Sequence, residues 1–178
     1  MKTLVLAVAA AFSTGLAAEV KETSATLFLI ERQVHTATAP SATYAALTGV
    51  GKWWDPEHTW SGASKNLSLD ARAGGCFCEK LAGGGSVSHG RVIWAQPGKM
   101  LRIEGALGPL QDMAVAGVLS FRLEPEGSGT RLTMTYRVAG NFTMDSAKLA
   151  PLVDAVLGLQ FERLRAFADT GSPVAPKP

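Results

Sequence analysis

Apolar and polar residues alternate with a period of two through much of this chain, and that alternation predicts a sheet before any motif is considered. Between Ala25 and Thr38, Leu27, Phe28, Leu29, Ile30 and Val34 stand against Glu31, Gln33 and His35, which predicts one long strand with His35 facing solvent. Pro40 suits the first turn of a helix, and Tyr44, Leu47, Val50 and Trp54 follow at helical spacing. Gly49 and Gly51 divide that stretch into two short helices, and Asp55-Pro56 ends it. Six strands are then predicted: Leu67 to Ala71, Cys76 to Leu81, Val87 to Ala95, Met100 to Gly105, Val118 to Glu124 and Thr130 to Val138. Gly83-Gly84-Gly85, Gln96-Pro97-Gly98 and Gly127-Ser128-Gly129 punctuate them as hairpin loops. In the last strands Leu119, Phe121 and Leu123 oppose Ser120, Arg122 and Glu124, while Leu132, Met134, Tyr136 and Val138 oppose Arg131, Thr133, Thr135 and Arg137. One face is wet and the other covered, as in an antiparallel sheet with something lying on it.

The cover is near the C-terminus. From Pro151 to Ala168, Leu152, Val153, Val156, Leu157, Gln160, Leu164 and Phe167 recur three and four residues apart, with Glu162, Arg163 and Arg165 off the stripe. Such a helix spans about 27 Å, enough to cross a six- or seven-stranded sheet. The expected fold is α+β: a curved antiparallel sheet of about seven strands wrapped on a long C-terminal helix, with two short helices after the first strand. A sheet that curves around a helix leaves a cavity between them, because the short helices close only one end.

The ends of the chain read differently. Met1-Lys2, an apolar run from Leu4 to Phe12, and small residues to Ala18 resemble a secretory signal peptide, residues 1–18. The run is too short to cross a bilayer, so a soluble periplasmic or secreted product is expected, with no stable membrane anchor. Residues 169–178, with Pro173, Pro176 and Pro178, are expected to be a disordered tail, which leaves residues 19–168 as one domain. Composition adds exclusions. The 178 residues carry 17 Lys and Arg against 15 Asp and Glu, which gives no basic footprint for nucleic acid. No nucleophile elbow, zinc-protease helix, phosphate loop or dinucleotide fingerprint is present, so no cofactor is expected.

The order of elements resembles the helix-grip fold of the START/SRPBCC superfamily, which includes lipid-transfer domains, the birch pollen allergen family and aromatase/cyclases. Trp53-Trp54-Asp55-Pro56-Glu57-His58-Thr59-Trp60-Ser61-Gly62, Gly74-Gly75-Cys76-Phe77-Cys78-Glu79 and Ala106-Leu107-Gly108-Pro109-Leu110-Gln111 are similar to an exported bacterial SRPBCC subgroup. The resemblance covers residues 25 to 168. It implies a cavity holding a hydrophobic or lipid-like ligand, to which catalytic members add a few polar groups. Some relatives activate a cytoplasmic chaperone ATPase, a role that the signal peptide argues against.

Candidate chemistry lies in three places. Trp54, Asp55, His58 and Trp60 are expected at the mouth of the cavity, although two tryptophans equally serve to staple the short helices onto the sheet. Cys76 and Cys78 share a strand face about 6.6 Å apart, too far for a disulfide unless a bulge next to Gly74-Gly75 contracts the strand. Two unpaired thiols are the default, and a zinc set with His89 is the weaker alternative. Glu79 and His89 are the best acid–base candidates, against the more ordinary reading of a cross-strand pair on the wet face. Pairing Leu81 with Ser86 sets Cys78 opposite His89, whereas pairing Leu81 with Val87 sets Glu79 there. Arg91 is expected to share the face of His89. Trp54, Trp94, Met113, Tyr136, Leu157 and Phe161 are the expected liners, with Glu79, His89 and Arg91 selecting polar groups. The expectation is an extracytoplasmic binding protein for a small lipophilic ligand. The alternative is a cyclase or hydrolase using Glu79 and His89.

Overall fold

The computed structural model describes residues 20–174. The expected signal peptide lies outside the described residues, as does the end of the expected tail, residues 175–178. The remainder forms eight strands and two α-helices: β1 (Val20–Ser24), β2 (Leu27–Thr36), α1 (Pro40–Thr48), β3 (Leu67–Leu69), β4 (Cys76–Lys80), β5 (Ser86–Gln96), β6 (Met100–Glu104), β7 (Ala114–Glu126), β8 (Gly129–Asn141) and α2 (Ser146–Thr170). Short 3-10 turns punctuate the connections, three of them between α1 and β3.

All strands pair antiparallel in the order β1-β2-β8-β7-β6-β5-β4-β3. After β2 the chain crosses to the far edge through α1 and the following turns, then meanders back until β8 pairs with β2 along its whole length. The alternation of β7 and β8 is the alternation seen in the sequence. Leu119, Phe121, Leu123, Leu132, Met134, Tyr136 and Val138 are all buried, and they meet Leu157, Phe161 and Leu164 of α2 in one hydrophobic core. β1 was not expected. Its sequence, Val-Lys-Glu-Thr-Ser, exposes four of its five residues on the sheet edge and carries no apolar alternation to read.

The long helix is longer than its apolar stripe. Asp145 caps it by accepting the Ala147 N–H at 2.9 Å, so it starts five residues before Pro151, which sits inside it. It also continues past Ala168 through Asp169 and Thr170 and ends at Gly171, whose φ of 77° allows the left-handed cap. Two residues of the expected tail are therefore helical. Arg32 of β2 and Asp154 of α2 lock helix to sheet with two bonds of 2.7 Å, the guanidinium passing over Gly158, where a Cβ would collide with it. No helix among the described residues is long and apolar enough to cross a membrane.

Candidate functional site

β5 shapes the site because it carries two bulges. It pairs with β4 as Lys80 to Ser86, Glu79 to Val87 and Cys78 to Ser88, then as Phe77 to Gly90 and Cys76 to Arg91. His89 is the extra residue, so neither predicted register runs through the hairpin. Val87 and His89 face inward, and beyond the bulge the parity reverses so that Val92 faces in and Arg91 faces out. A second bulge at Ile93 reverses it again, leaving Trp94 on the outer face, 47% exposed with the Arg102 guanidinium over its ring at 5.3 Å. Arg91 and Trp94 are thus not on the side of His89, contrary to expectation. The tight packing here depends on glycine, since a Cβ on Gly90 would sit 2.7 Å from the Ile103 side chain.

Glu79 and His89 meet on the inner face, not on the wet one. His89 Nε2 lies 2.9 Å from Glu79 Oε2, with His89 7% and Glu79 0% exposed. The same carboxylate accepts the Trp60 N–H at 3.2 Å and the Ser61 N–H at 2.6 Å. Burial alone would push the Glu79 pKa up. Hydrogen bonds from Ser61, from Trp60 and from His89 outweigh it and hold the carboxyl below its ordinary value. An ionised carboxylate only accepts, so His89 Nε2 donates the shared hydrogen bond. Glu79 therefore acts as a clip, holding the segment after Pro56 over the β4–β5 hairpin. Both side chains satisfy the inward geometry of an acid–base pair, but the carboxylate is spent on holding backbone.

The tryptophan-rich segment is both staple and wall. Trp53 Nε1 donates to the Ala46 carbonyl at 3.0 Å, and Trp54 Nε1 donates to the His58 carbonyl at 2.9 Å. From α2, Gln160 accepts the Asp55 N–H at 2.8 Å, its amide lies 3.3 Å from His58 Nδ1, and Arg163 donates to the Trp53 carbonyl at 2.8 Å. Asp55 accepts the Glu57 N–H at 3.0 Å, which caps the turn at Pro56–His58. Gln160 and Arg163 were not proposed as site residues. Their role depends on contacts more than 100 positions apart in sequence, which no local spacing encodes.

Between these elements lies a cavity of about 330 Å³. Phe77 and His89 come from the hairpin, Val153, Val156 and Leu157 from α2, and Trp54 with residues 57–60 from the clipped segment. Leu107, Gly108 and Pro109 close the remaining side. That last loop is held by Tyr136, whose hydroxyl donates to the Gly105 carbonyl and accepts the Leu107 N–H, each at 3.0 Å. Of the expected residues, Trp54, His58, Trp60, His89 and Leu157 line the cavity, while Glu79 and Asp55 stand behind its wall. Tyr136 is buried in the core, Met113 packs half-buried at the core's edge, and Phe161 bounds a separate void of about 10 Å³. Val153 and Val156 were legible as helix stripe, and Leu107 to Pro109 as a loop, but not as walls.

Cys76 and Cys78 form a disulfide, which corrects the expectation of unpaired thiols. Their Cα atoms are 5.4 Å apart, closer than two steps of a regular strand, so β4 is contracted where the spacing rule assumed an extended strand. The bulge itself is on β5, not beside Gly74-Gly75. The disulfide lies on the outer face and His89 on the inner, so these three side chains do not form one ligand set. Among the described residues there is no group of three or more His, Cys, Asp or Glu placed to hold a metal ion.

No family model matches this chain, and no curated protein does. Solved structures do. The chain is similar to Aha1 from Colwellia psychrerythraea, with 19% identity, 80% of this chain and 97% of that one covered, and a TM-score of 0.57. It is similar to Ara h 8.0201, with 10% identity, 80% and 97% covered, and a TM-score of 0.54. It is also similar to protein MLL2253 from Mesorhizobium loti, with 22% identity, 77% and 93% covered, and a TM-score of 0.54. At such identities the likeness is one of architecture, and the architecture is the helix-grip fold: a curved antiparallel sheet of eight strands closed on a long C-terminal helix.

Proposed function

We propose that this protein binds a small, mostly apolar ligand in the cavity between the β4–β5 hairpin and the N-terminal half of α2, and that it does so outside the cytoplasm. The cavity carries the reading. Its volume is at the lower end of the range for small-molecule sites, and its walls are mostly Trp, Phe, Val, Leu and Pro side chains with few polar groups. Location rests on the signal-peptide pattern at residues 1–18. An apolar ligand body would lie against Trp54, Phe77, Val156 and Leu157. With its Nε2–H committed to Glu79, His89 has its other ring nitrogen left to meet a polar group of the ligand. Glu79 and His89 serve this reading as the device that positions the rim.

The test is direct. Native mass spectrometry of the mature chain, purified without detergent, is expected to show a co-purifying apolar molecule or uptake of an anilinonaphthalene dye. Leu157→Arg, which places a charge in the wall, is expected to abolish uptake while the far-ultraviolet circular dichroism is unchanged. A folded protein that takes up no apolar molecule, or a Leu157→Arg chain that binds as wild type does, overturns the proposal.

A further inference from the structure

The Cys76–Cys78 disulfide stands apart from the cavity chemistry, and its surroundings are those of a reactive bond. We propose that it is a thiol–disulfide exchange site, opened and closed by a dithiol reductant, with Cys78 the sulfur attacked and Cys76 the leaving group.

Four observations converge on this. The two cysteines are the chain's only ones, so no other intramolecular pairing competes. Both are only partly covered, on the outer face of β4, and among the described residues the three-residue β3 is the one strand beyond them. The bond closes over a single intervening residue, so it removes little freedom from the unfolded chain and is a poor stabilising staple. Finally, the neighbours differ for the two sulfurs. Arg91 is the residue directly opposite Cys76, exposed on the same face, and Ser88 Oγ lies 3.6 Å from Cys76 Sγ. A hydroxyl beside Cys76 Sγ and a cationic residue at the directly opposite position of the same face favour the thiolate there, and the sulfur with the better-stabilised thiolate is the better leaving group.

The exchange balances as follows. A thiolate of the reductant bonds to Cys78 Sγ, the Sγ–Sγ bond breaks, and its electron pair leaves on Cys76 as a thiolate facing Arg91. The second thiolate of the reductant then attacks the reductant sulfur of the mixed disulfide and releases Cys78 as a thiolate. The reductant departs as its own disulfide, and two electrons have passed to the protein. The reverse sequence re-forms the bond.

The experiment uses the mature chain without denaturant. Incubation with dithiothreitol, followed by acid quench, alkylation and mass measurement, is expected to show complete and reversible opening while near-ultraviolet circular dichroism reports a folded protein. Brief exposure to reduced glutathione with rapid quench is expected to trap the adduct on Cys78, and Arg91→Gln is expected to slow opening severalfold at neutral pH. Sulfurs that open only when urea unfolds the chain, an adduct on Cys76, or an Arg91→Gln chain that opens at the wild-type rate would each overturn the assignment. None of these readouts involves the cavity ligand, so the result is independent of the proposed binding function.

Discussion

Glu79→Gln removes one charge and keeps the side chain's shape, and the consequences can be worked from three hydrogen bonds. In the folded protein the carboxylate accepts from Trp60 N, Ser61 N and His89 Nε2 with no exposure to solvent. A charge-assisted bond contributes about 1 kcal/mol more than a neutral one, so losing the charge across three bonds costs about 3 kcal/mol. The new amide also turns an N–H group toward a donor. Urea unfolding at neutral pH is expected to show a loss of about 2–4 kcal/mol at unchanged m-value. The pH dependence sharpens the test. Because the folded carboxyl titrates below its unfolded value, its stabilisation is present in full above the ordinary carboxylate range and is lost as pH falls through the folded pKa. The gap between wild type and Glu79→Gln should therefore close in acid, where a protonated Glu79 resembles the glutamine. Hydrogen exchange of the Trp60 and Ser61 amides should quicken in the variant. A loss under about 1 kcal/mol at neutral pH, or a gap that persists unchanged into acid, refutes the clip.

Other substitutions probe the frame around the site. Asp154→Ala leaves the Arg32 guanidinium, 11% exposed, without its bidentate partner and should cost about 3–5 kcal/mol in urea unfolding, much of it recovered by Arg32→Met with Asp154→Leu. Tyr136→Phe unpairs the Gly105 carbonyl and the Leu107 N–H, so a loss of about 1–3 kcal/mol is expected together with weaker dye binding, because the 107–109 wall loosens. Gly105→Ala drives a Cβ into the His89 carbonyl and forces β5 and β6 apart, with an expected loss of about 1–3 kcal/mol read as a lower Tm.

The parts of the fold that were legible are those where one physical rule acts alone. β7 and β8 alternate cleanly because one face packs on α2 and the other meets water, and α1 breaks at Gly49 because glycine is costly inside a helix. β5 was misread because a period of two fails at a bulge: Arg91 was placed on the face of His89 by a continuity that the His89 bulge interrupts, whereas Trp94, an odd number of positions from His89, stands on the outer face by simple alternation and again after the two bulges. The disulfide was discounted for the same reason, since the distance rule describes an extended strand and β4 is contracted between Cys76 and Cys78. Glu79 and His89 were found as a pair because one of the two candidate registers of the hairpin sets them opposite each other. That Glu79 also holds Trp60 and Ser61 was not visible, because those bonds go to backbone N–H groups that every residue possesses.

The central claim is that the space beneath the clipped segment is a ligand site. It is tested most directly by amide chemical-shift mapping of the labelled mature chain during titration with the anilinonaphthalene dye. The account predicts saturable shifts centred on Phe77, His89, Leu107, Val156 and Leu157, with the outer-face residues Arg91, Trp94 and Arg122 unmoved. Shifts centred on the outer face, or none at saturating dye, would contradict it.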